Sequence, residues 1–323
     1  MSSKLPRGLG ALPLLALAGA VLWMSPWARG ESAPRSNVHE VWIAAVPERW
    51  NIVPNGRNAI EKETFHSGHA KTGSTTFKTI VYRRYTRDWG KQLPNQPGVS
   101  GDNDGIPGPL IRARVGDRIL VHFKNLDNEF ERPHSMHFHG VRYPFGSDGA
   151  YIPGFSGRGA SVKPGDTFTY RLEARPDSVG VWPYHDHSPS MADSVEGGLY
   201  GAISILGRHE RAPDREFVVF LSRHLGFMTI NGRAFVGNTP VLRAKVGELV
   251  QWDVLTLGDE FHTFHVHGHR WRVPGAFEDT RTVGPAESFR VRWREDVPGT
   301  WLYHCHVEGH MAEGMIGIYR VTR

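Results

Sequence analysis

The sequence predicts an all-β chain made of two Greek-key β-sandwich domains in tandem. Three observations support this prediction. Glycine (37) and proline (22) are plentiful among the 323 residues, and no long helical pattern occurs. Short segments of alternating apolar and polar residues recur between turn-rich stretches, which is typical of β-sandwiches. The segments of one half return in the same order in the other half, which indicates a duplicated domain.

Four pairs of matching segments show the duplication. They are PLIRARVGDRILVHF (109–123) with PVLRAKVGELVQWDV (240–254), HSMHFHG (134–140) with HTFHVHG (262–268), VKPGDTFTYR (162–171) with VGPAESFRVR (283–292), and GVWPYHDH (180–187) with GTWLYHCH (299–306). We place the boundary near residues 207–214. The predicted domains are therefore 38–207 and 208–323.

The N-terminus is typical of a signal peptide over residues 1–30. Lys4 and Arg7 precede an apolar run at 9–23, and small residues flank position 29. The alternative is an uncleaved membrane anchor, but the run is short for a span and contains Pro13. We therefore expect an exported protein, periplasmic or secreted, without stable membrane insertion after cleavage.

The remaining elements before the repeat follow from local pattern. We predict, in order, a linker at 31–37, a strand at 39–48, a loop over 47–74, a strand at 75–85 and a long surface loop at 86–108. His66 and His69 lie in loop composition without a partner motif, so we expect them to be solvent-exposed.

Charge and cysteine content narrow the function. The net charge of +5 is mild and the basic residues are scattered, which does not favour nucleic-acid binding. Cys305 is the single cysteine, so the chain has no internal disulfide. This residue is a thiol or a metal-bound thiolate.

The 18 histidines form an unusual pattern. Five His-x-His pairs occur: His137/His139, His185/His187, His265/His267, His267/His269 and His304/His306. Four of them fall at matching places in the two halves. On a strand, both histidines of such a pair point to one face. Eight imidazoles in four pairs are too many for one metal and suit three.

The stretch HCHVEGHMAEGM (304–315) adds sulfur ligands. If His304, Cys305 and His306 lie on a strand, the thiolate points away from its two neighbours. Two imidazoles, a thiolate and a weak axial thioether form the ligand set of an electron-transfer copper site. One tripeptide can then contact two metal centres and join them.

These segments resemble the copper signatures of multicopper oxidases, and residues 75–323 are similar to the two-domain bacterial small-laccase branch. The resemblance implies two cupredoxin-like domains and four coppers per chain. By position it assigns type 1 copper to His262, Cys305 and His310 with Met315 as axial ligand. Type 2 copper is assigned to His137 and His265, and the type 3 pair to His139, His185, His187, His267, His304 and His306. His269 is left over, with a supporting or surface role.

The first domain departs from the type 1 pattern. Aligning the halves puts Asp186 at the place of Cys305, Met191 at that of His310, and Glu196 at that of Met315. His134 alone survives, at the place of His262. We therefore expect one type 1 copper per chain, in the second domain.

Since each half carries two of the four pairs, the trinuclear site must form where a first domain meets a second domain. The resemblance implies a homotrimer with this site between neighbouring chains; the sequence alone also allows a site within one chain.

Similar enzymes place an acid after the first pair, which suggests Asp148 as a proton donor, although an ordinary turn aspartate is the alternative. Tyr143 is a redox-active neighbour of the cluster or a packing residue.

The predicted function is that of a laccase-like oxidase, which couples one-electron oxidation of small phenolic or aromatic substrates to reduction of O2 to water. Electrons enter through the exposed edge of His262 or His310 and leave through Cys305. The alternatives are a metallo-oxidase of cuprous or ferrous ions, a copper nitrite reductase and a non-catalytic copper electron carrier. Few methionines argue against the first, and the paired histidines argue against the other two.

Overall fold

The computed structural model describes residues 37–62, 64 and 74–323. Strands and helices of the first half are β1 (Val38–Asn51), β2 (Thr76–Tyr85), β3 (Val99–Ser100), β4 (Ile111–Arg114), β5 (Arg118–Asn125), β6 (His137–Phe138), β7 (Thr167–Glu173), β8 (Gly180–His185), α1 (Met191–Glu196) and β9 (Tyr200–Leu206). Short 3₁₀ turns lie at Arg87–Trp89, Phe145–Ser147, Arg158–Ala160 and Pro176–Ser178.

The second half repeats this arrangement. Its elements are β10 (Arg215–His224), β11 (Phe227–Ile230), β12 (Val241–Lys245), β13 (Leu249–Thr256), β14 (His262–Val266), β15 (Trp271–Val273), β16 (Ala276–Glu278), β17 (Thr280–Val283), β18 (Ser288–Arg294), β19 (Gly299–Cys305), α2 (Glu308–Ala312) and β20 (Ile316–Thr322).

Each half is a sandwich of two sheets. In the first half the sheets run β2-β1-β5-β7 and β4-β9-β8-β6. In the second they run β11-β10-β13-β18 and β12-β20-β19-β14-β17. The equivalent strands β1 and β10 pair in parallel with β5 and β13, respectively. The shared strand order confirms the all-β, duplicated architecture that the repeated segments predict.

Strand patterning explains the two cores. Along β5, Ile119, Val121 and Phe123 alternate inward and are fully buried, as expected for a half-buried strand. They pack with residues of the facing sheet such as Ile203. The second core is centred on Trp252, which contacts a ring of aromatic side chains. Burying such side chains stabilises each sandwich by about 1.5–3 kcal/mol per large residue.

A third apolar cluster lies between the two sandwiches. It contains Trp50 and Tyr200 from the first half, and Phe220 and Leu255 from the second. Strand β13 is buried along nearly all its length because one face meets its own core and the other meets this cluster. The two sandwiches therefore form one compact unit, and the boundary near 207–214 stays a prediction.

Two local predictions need correction. The strand predicted at 39–48 extends through Asn51, because β2 continues to pair with it up to Thr76; residues 47–51 are therefore not loop. The surface loop predicted at 86–108 contains β3, which pairs with Glu216 and Phe217 of β10. The strand predicted at 75–85 is confirmed within one residue.

The predicted signal peptide, the linker up to residue 36, and His66 and His69 lie outside the described residues. Within the described part of the chain, no helix is long and apolar enough to cross a membrane.

Candidate metal centres

The end of β19 distributes three neighbouring side chains between two clusters. On this strand Cys305 pairs with Phe264 of β14, and His304 pairs with His265. Because side chains alternate along a strand, the Cys305 thiol lies beside His262, whereas the ring of His304 lies 5.4 Å from that of His306. The predicted alternation at this tripeptide is therefore present.

The sulfur-containing cluster consists of His262, Cys305 and His310. The Cys305 Sγ lies 3.9 Å from His262 Nδ1 and 3.6 Å from His310 Nδ1, and the two ring nitrogens are 3.2 Å apart. The backbone N–H of Thr263 points at the sulfur from 3.3 Å. Met315 is fully buried, and its carbonyl accepts the N–H of Cys305.

This donor set fits copper. The three donor atoms all lie within 4.8 Å of one another, and one thiolate with two imidazoles is the donor set of electron-transfer copper sites. Burial, then the neighbouring His310 and Arg223, lowers the pKa of His262 to about 4. The ring is therefore neutral at ordinary pH, as a metal ligand must be. Helix α2, between Cys305 and Met315, holds His310 over the sulfur.

The second cluster contains the four histidines of the second sandwich: His265, His267, His304 and His306. The Nε2 atoms of His267 and His304 are 3.1 Å apart. The Nδ1 of His265 donates to the Asp279 carbonyl, and that of His304 donates to the Cys305 carbonyl. These bonds leave Nε2 of both rings unprotonated and free to bind metal.

The third cluster contains the four histidines of the first sandwich: His137, His139, His185 and His187. The Nε2 atoms of His139 and His185 are 3.2 Å apart. The Nδ1 of His137 donates to the Asp148 carbonyl at 2.7 Å, and that of His185 to the Asp186 carbonyl at 2.8 Å. Burial, with smaller effects from neighbouring rings, lowers the pKa of His139 and of His185 to about 4.

The two four-histidine clusters share one template but lie apart in the chain. Each is built where paired strands end, with His137 opposite His185 and His265 opposite His304. In the described part of the chain, no hydrogen bond or ring contact joins the two clusters. His267 and His306 are exposed to solvent. The eight imidazoles are thus present as two separate groups of four.

A polar network occupies the first-sandwich equivalent of the sulfur-containing cluster. Asp186 is fully buried and accepts bonds from the backbone of Ser135 and the hydroxyl of Ser188. Burial alone would lower the pKa of His134, but the carboxylates of Asp186 and Asp127 outweigh burial and raise it. His134 is 3.0 Å from Asp127. The other two replacements, Met191 and Glu196, are exposed on α1.

Two further residues lie beside the first-sandwich histidines. The Asp148 carboxylate is 3.6 Å from His137 Nδ1, farther than its own carbonyl. Tyr143 contacts His137 edge-on at 6.1 Å between ring centroids, and burial, then Asp148, raises the pKa of its hydroxyl.

His269 is buried, not on the surface, and binds Glu295.

The surroundings of the sulfur-containing cluster contain residues that sequence reasoning missed. Glu260 Oε2 lies 3.8 Å from His310 Nε2, and Glu260 also pairs with Arg223. Only spatial proximity reveals them, since no motif includes them. Of the two predicted electron-entry rings, His262 is closed off at 1% exposure, and His310 is partly open.

Family models described as multicopper oxidase match residues 88–210 and 210–323. The chain belongs to the multicopper oxidase family. A solved crystal structure of a multicopper oxidase superposes with a TM-score of 0.66 at 26% identity, covering 88% of this chain and 89% of that one. The cupredoxin-like β-sandwich fold predicted for both domains is thereby confirmed.

Curated relatives are larger. Ferroxidase HEPHL1 of Homo sapiens is 30% identical over 87% of this chain and 29% of its own length. Hephaestin of Mus musculus is 28% identical over 94% of this chain and 31% of its own length. The multicopper oxidase described here therefore spans about three tenths of the length of these relatives.

Proposed function

We propose that the chain is a copper-dependent oxidase that takes single electrons from a small reductant and reduces O2 to water. One observation carries this proposal: Cys305 belongs to one donor cluster while its neighbour His304 belongs to another, so a single peptide joins them. Copper, when bound, supplies reversible one-electron chemistry. The proposed content is four coppers per chain, with type 1 copper held by His262, Cys305, His310 and Met315.

The trinuclear site of the proposal is shared between chains of a homotrimer. It draws type 2 ligands from His137 and His265, and type 3 ligands from the other six paired histidines. The support is that His267 and His306 of the second-sandwich cluster are exposed to solvent and that no described contact joins the two clusters within one chain. Closed cyclic assembly would bring a first-domain cluster against a second-domain cluster three times.

Electron entry is assigned to His310, because His262 is buried beneath it. Oxidation by outer-sphere transfer requires access and a suitable potential and no covalent step, so phenols and aromatic amines remain the first substrate class. We propose that Asp148 transfers protons near His137. We also propose that the protein is exported to the periplasm or the medium.

Metal-ion oxidation is the second candidate, and a specific feature favours it. Glu260 places a carboxylate oxygen 3.8 Å from the His310 ring, and Asp259 adjoins it. Carboxylate oxygens suit small divalent cations. The similarity to Ferroxidase HEPHL1, whose name states iron oxidation, points in the same direction. A ferrous ion bound at this carboxylate would lie next to the electron-entry ring.

An oxygen-electrode panel on copper-loaded protein tests the proposal. Phenols, Fe(II) and Cu(I) are supplied in separate runs, and nitrite reduction is measured under argon. Oxygen uptake with phenols supports the laccase hypothesis. Oxygen uptake with Fe(II) or Cu(I) that is lower in the Glu260→Gln variant supports the metallo-oxidase hypothesis. Nitrite reduction without oxygen uptake, or no turnover with any reductant, would contradict the proposal.

A further inference from the structure

A buried ion pair lies directly beneath the exposed His267. His269 Nε2 is 2.9 Å from the Glu295 carboxylate, and both side chains are almost completely buried. The other carboxylate oxygen of Glu295 accepts bonds from the Trp293 indole and the Tyr319 hydroxyl. The Glu295 side chain is therefore fixed from two sides, and it holds one edge of the His269 ring.

The opposite edge of the same ring holds the backbone of a copper-site residue. His269 Nδ1 donates to the His267 carbonyl at 2.7 Å. Residues 266–269 form a tight turn, closed by the His269 N–H on the Val266 carbonyl. Gly268 adopts φ +72° in this turn, against the Trp301 ring. The chain from Glu295 to the His267 carbonyl is thus a continuous rigid connection.

The His267 ring has little other support. In the described residues, the only hydrogen-bond contact of this ring is with His304, its proposed co-ligand. It is not oriented by a carbonyl at its Nδ1, unlike His265 and His304. Its position depends on its backbone, which is anchored by the N–H to the Leu302 carbonyl and by the His269 bond to its own carbonyl.

The duplicated domain shows that the pair is not needed to build the fold. By the offsets of the repeats, Val141 stands at the place of His269 and Ala174 at that of Glu295, and both are buried. Yet His139 in that domain is less exposed than His267. A buried ion pair adds little stability compared with apolar residues. Its presence beneath the more exposed histidine therefore indicates a role other than stabilising the fold.

We propose that His269 and Glu295 are positioning residues, which hold His267 in the geometry needed to complete the oxygen-reducing site. The inference rests on the proposed function, since it concerns ligands of the non-blue coppers. Neither residue contacts the metal in this proposal. Groups of this kind typically change metal affinity by about 10–100-fold when replaced.

The test introduces the equivalent first-domain residues into the second domain. His269→Val with Glu295→Ala reproduces Val141 and Ala174 without leaving a buried charge unpaired. We expect the metal-free variant to fold with a lower melting temperature, because the Trp293 indole and the Tyr319 hydroxyl lose their acceptor, and to keep the blue absorption when loaded. Its non-blue copper should be lost at about 10–100-fold lower chelator concentration, with an altered type 2 electron paramagnetic resonance signal.

A control removes a second, more exposed His–Glu pair. His122→Val with Glu40→Ala breaks a 3.1 Å contact between β5 and β1, outside the His-x-His pairs, and should leave copper retention unchanged. If the double variant does not fold, His269→Gln, which retains an N–H donor, is compared with His269→Leu, which does not. Greater copper loss in the leucine variant supports the proposal, and equal loss overturns it.

The two proposals fail in different ways. A wild-type protein that binds no non-blue copper, or consumes no oxygen, contradicts the proposed function. A wild-type protein that does both, with a double variant that retains copper as tightly and with the same resonance signal, overturns only the positioning role.

Discussion

At the scale of single residues, Cys305 is the most informative side chain. It is fully buried, it faces two imidazoles, and it receives the Thr263 N–H. Serine is close in size, so the fold should tolerate it, but a hydroxyl is a poor ligand for copper beside imidazole. Replacing the thiol should therefore affect the sulfur-containing cluster and leave the two four-histidine clusters unchanged.

Replacing Cys305 by serine should abolish the blue absorption and oxygen uptake and leave the non-blue copper in place. Absorption spectroscopy, copper analysis and electron paramagnetic resonance on the same sample measure the three quantities. A variant that stays blue would show that the thiolate is not the ligand responsible for the colour.

Asp148 separates backbone and side-chain roles at one position. Its carbonyl orients His137 and its carboxylate lies farther away, so Asp148→Asn keeps the orienting bond and removes the acid. We expect normal copper content and blue absorption, with oxygen reduction slowed by about 100-fold or more. Unchanged turnover in oxygen-electrode assays would reduce Asp148 to an ordinary turn residue.

The sequence reveals ligands better than their supports. Ligand pairs such as His185/His187 are adjacent and repeat, so their spacing predicts a shared strand face. The bonds that orient them, such as Glu295 with His269, join residues 26 positions apart. Glu260 near His310 is 50 positions away in sequence, and no local pattern indicates which loop approaches that ring.

At the scale of elements, the turns after the His-x-His pairs are constrained by glycine. Gly140 has φ +69°, and an added Cβ would lie 2.0 Å from the Trp182 ring. Any side chain at this position must displace either the tryptophan or the turn that carries His139.

Gly140→Ala should therefore lower the free energy of unfolding by about 2–5 kcal/mol, from left-handed backbone strain plus overpacking. It should also weaken copper binding by the first-domain histidines. Gly165→Ala is the control, because Gly165 has φ +86° with no atom near the added Cβ. It carries only the backbone term, about 1–2 kcal/mol. Equal denaturation midpoints for the two variants would contradict this account.

Element prediction succeeded where the signal was local. The alternation of apolar and polar residues at 75–85 predicts β2, because the whole pattern lies within the segment itself. It could not predict β3, since Val99 and Ser100 become a strand only by pairing with β10, more than 100 residues later. The end of β1 likewise depends on its partner, because residues 47–51 continue to pair with β2.

At the scale of the whole molecule, a buried polar network joins the two sandwiches. Glu216 accepts from Ser204 and Gln251 and pairs with Arg112. Asp253 pairs with Arg290, which also donates to the first-domain carbonyls of Gly180 and Ile205. Burial, then the Asp253 carboxylate, raises the pKa of Glu216 from 4.5 to about 7.

This raised pKa predicts a pH dependence. The folded protein holds the Glu216 proton more tightly than the unfolded chain does, so stability is lost as pH rises from about 4.5 to about 7. Glu216→Gln should remove that loss. The stability difference between variant and wild type should therefore shift by about 1–3 kcal/mol in favour of the variant between pH 5 and pH 8, measured by denaturant titration. A pH-independent difference would contradict the assignment.

The proposed sharing of sites between chains predicts complementation between two inactive variants. One variant carries His137→Ala and His139→Ala, and the other carries His265→Ala and His267→Ala. Each alone should be inactive, while a refolded equal mixture should regain about a quarter of wild-type oxygen uptake, since random cyclic assembly pairs intact halves in one site of four. No recovery in mixtures of confirmed mixed oligomers would indicate sites within single chains.

The separation of the donor clusters has a consequence for maturation. The three donors of the sulfur-containing cluster come from one chain, whereas each four-histidine cluster supplies only half of the ligands of the proposed trinuclear site. Under the proposed arrangement, dilute apoprotein turns blue when copper is added, but it reduces oxygen only after chains have associated. The delay between the appearance of the blue colour and the start of oxygen consumption after copper is added should lengthen with dilution. This delay then measures the rate of subunit association.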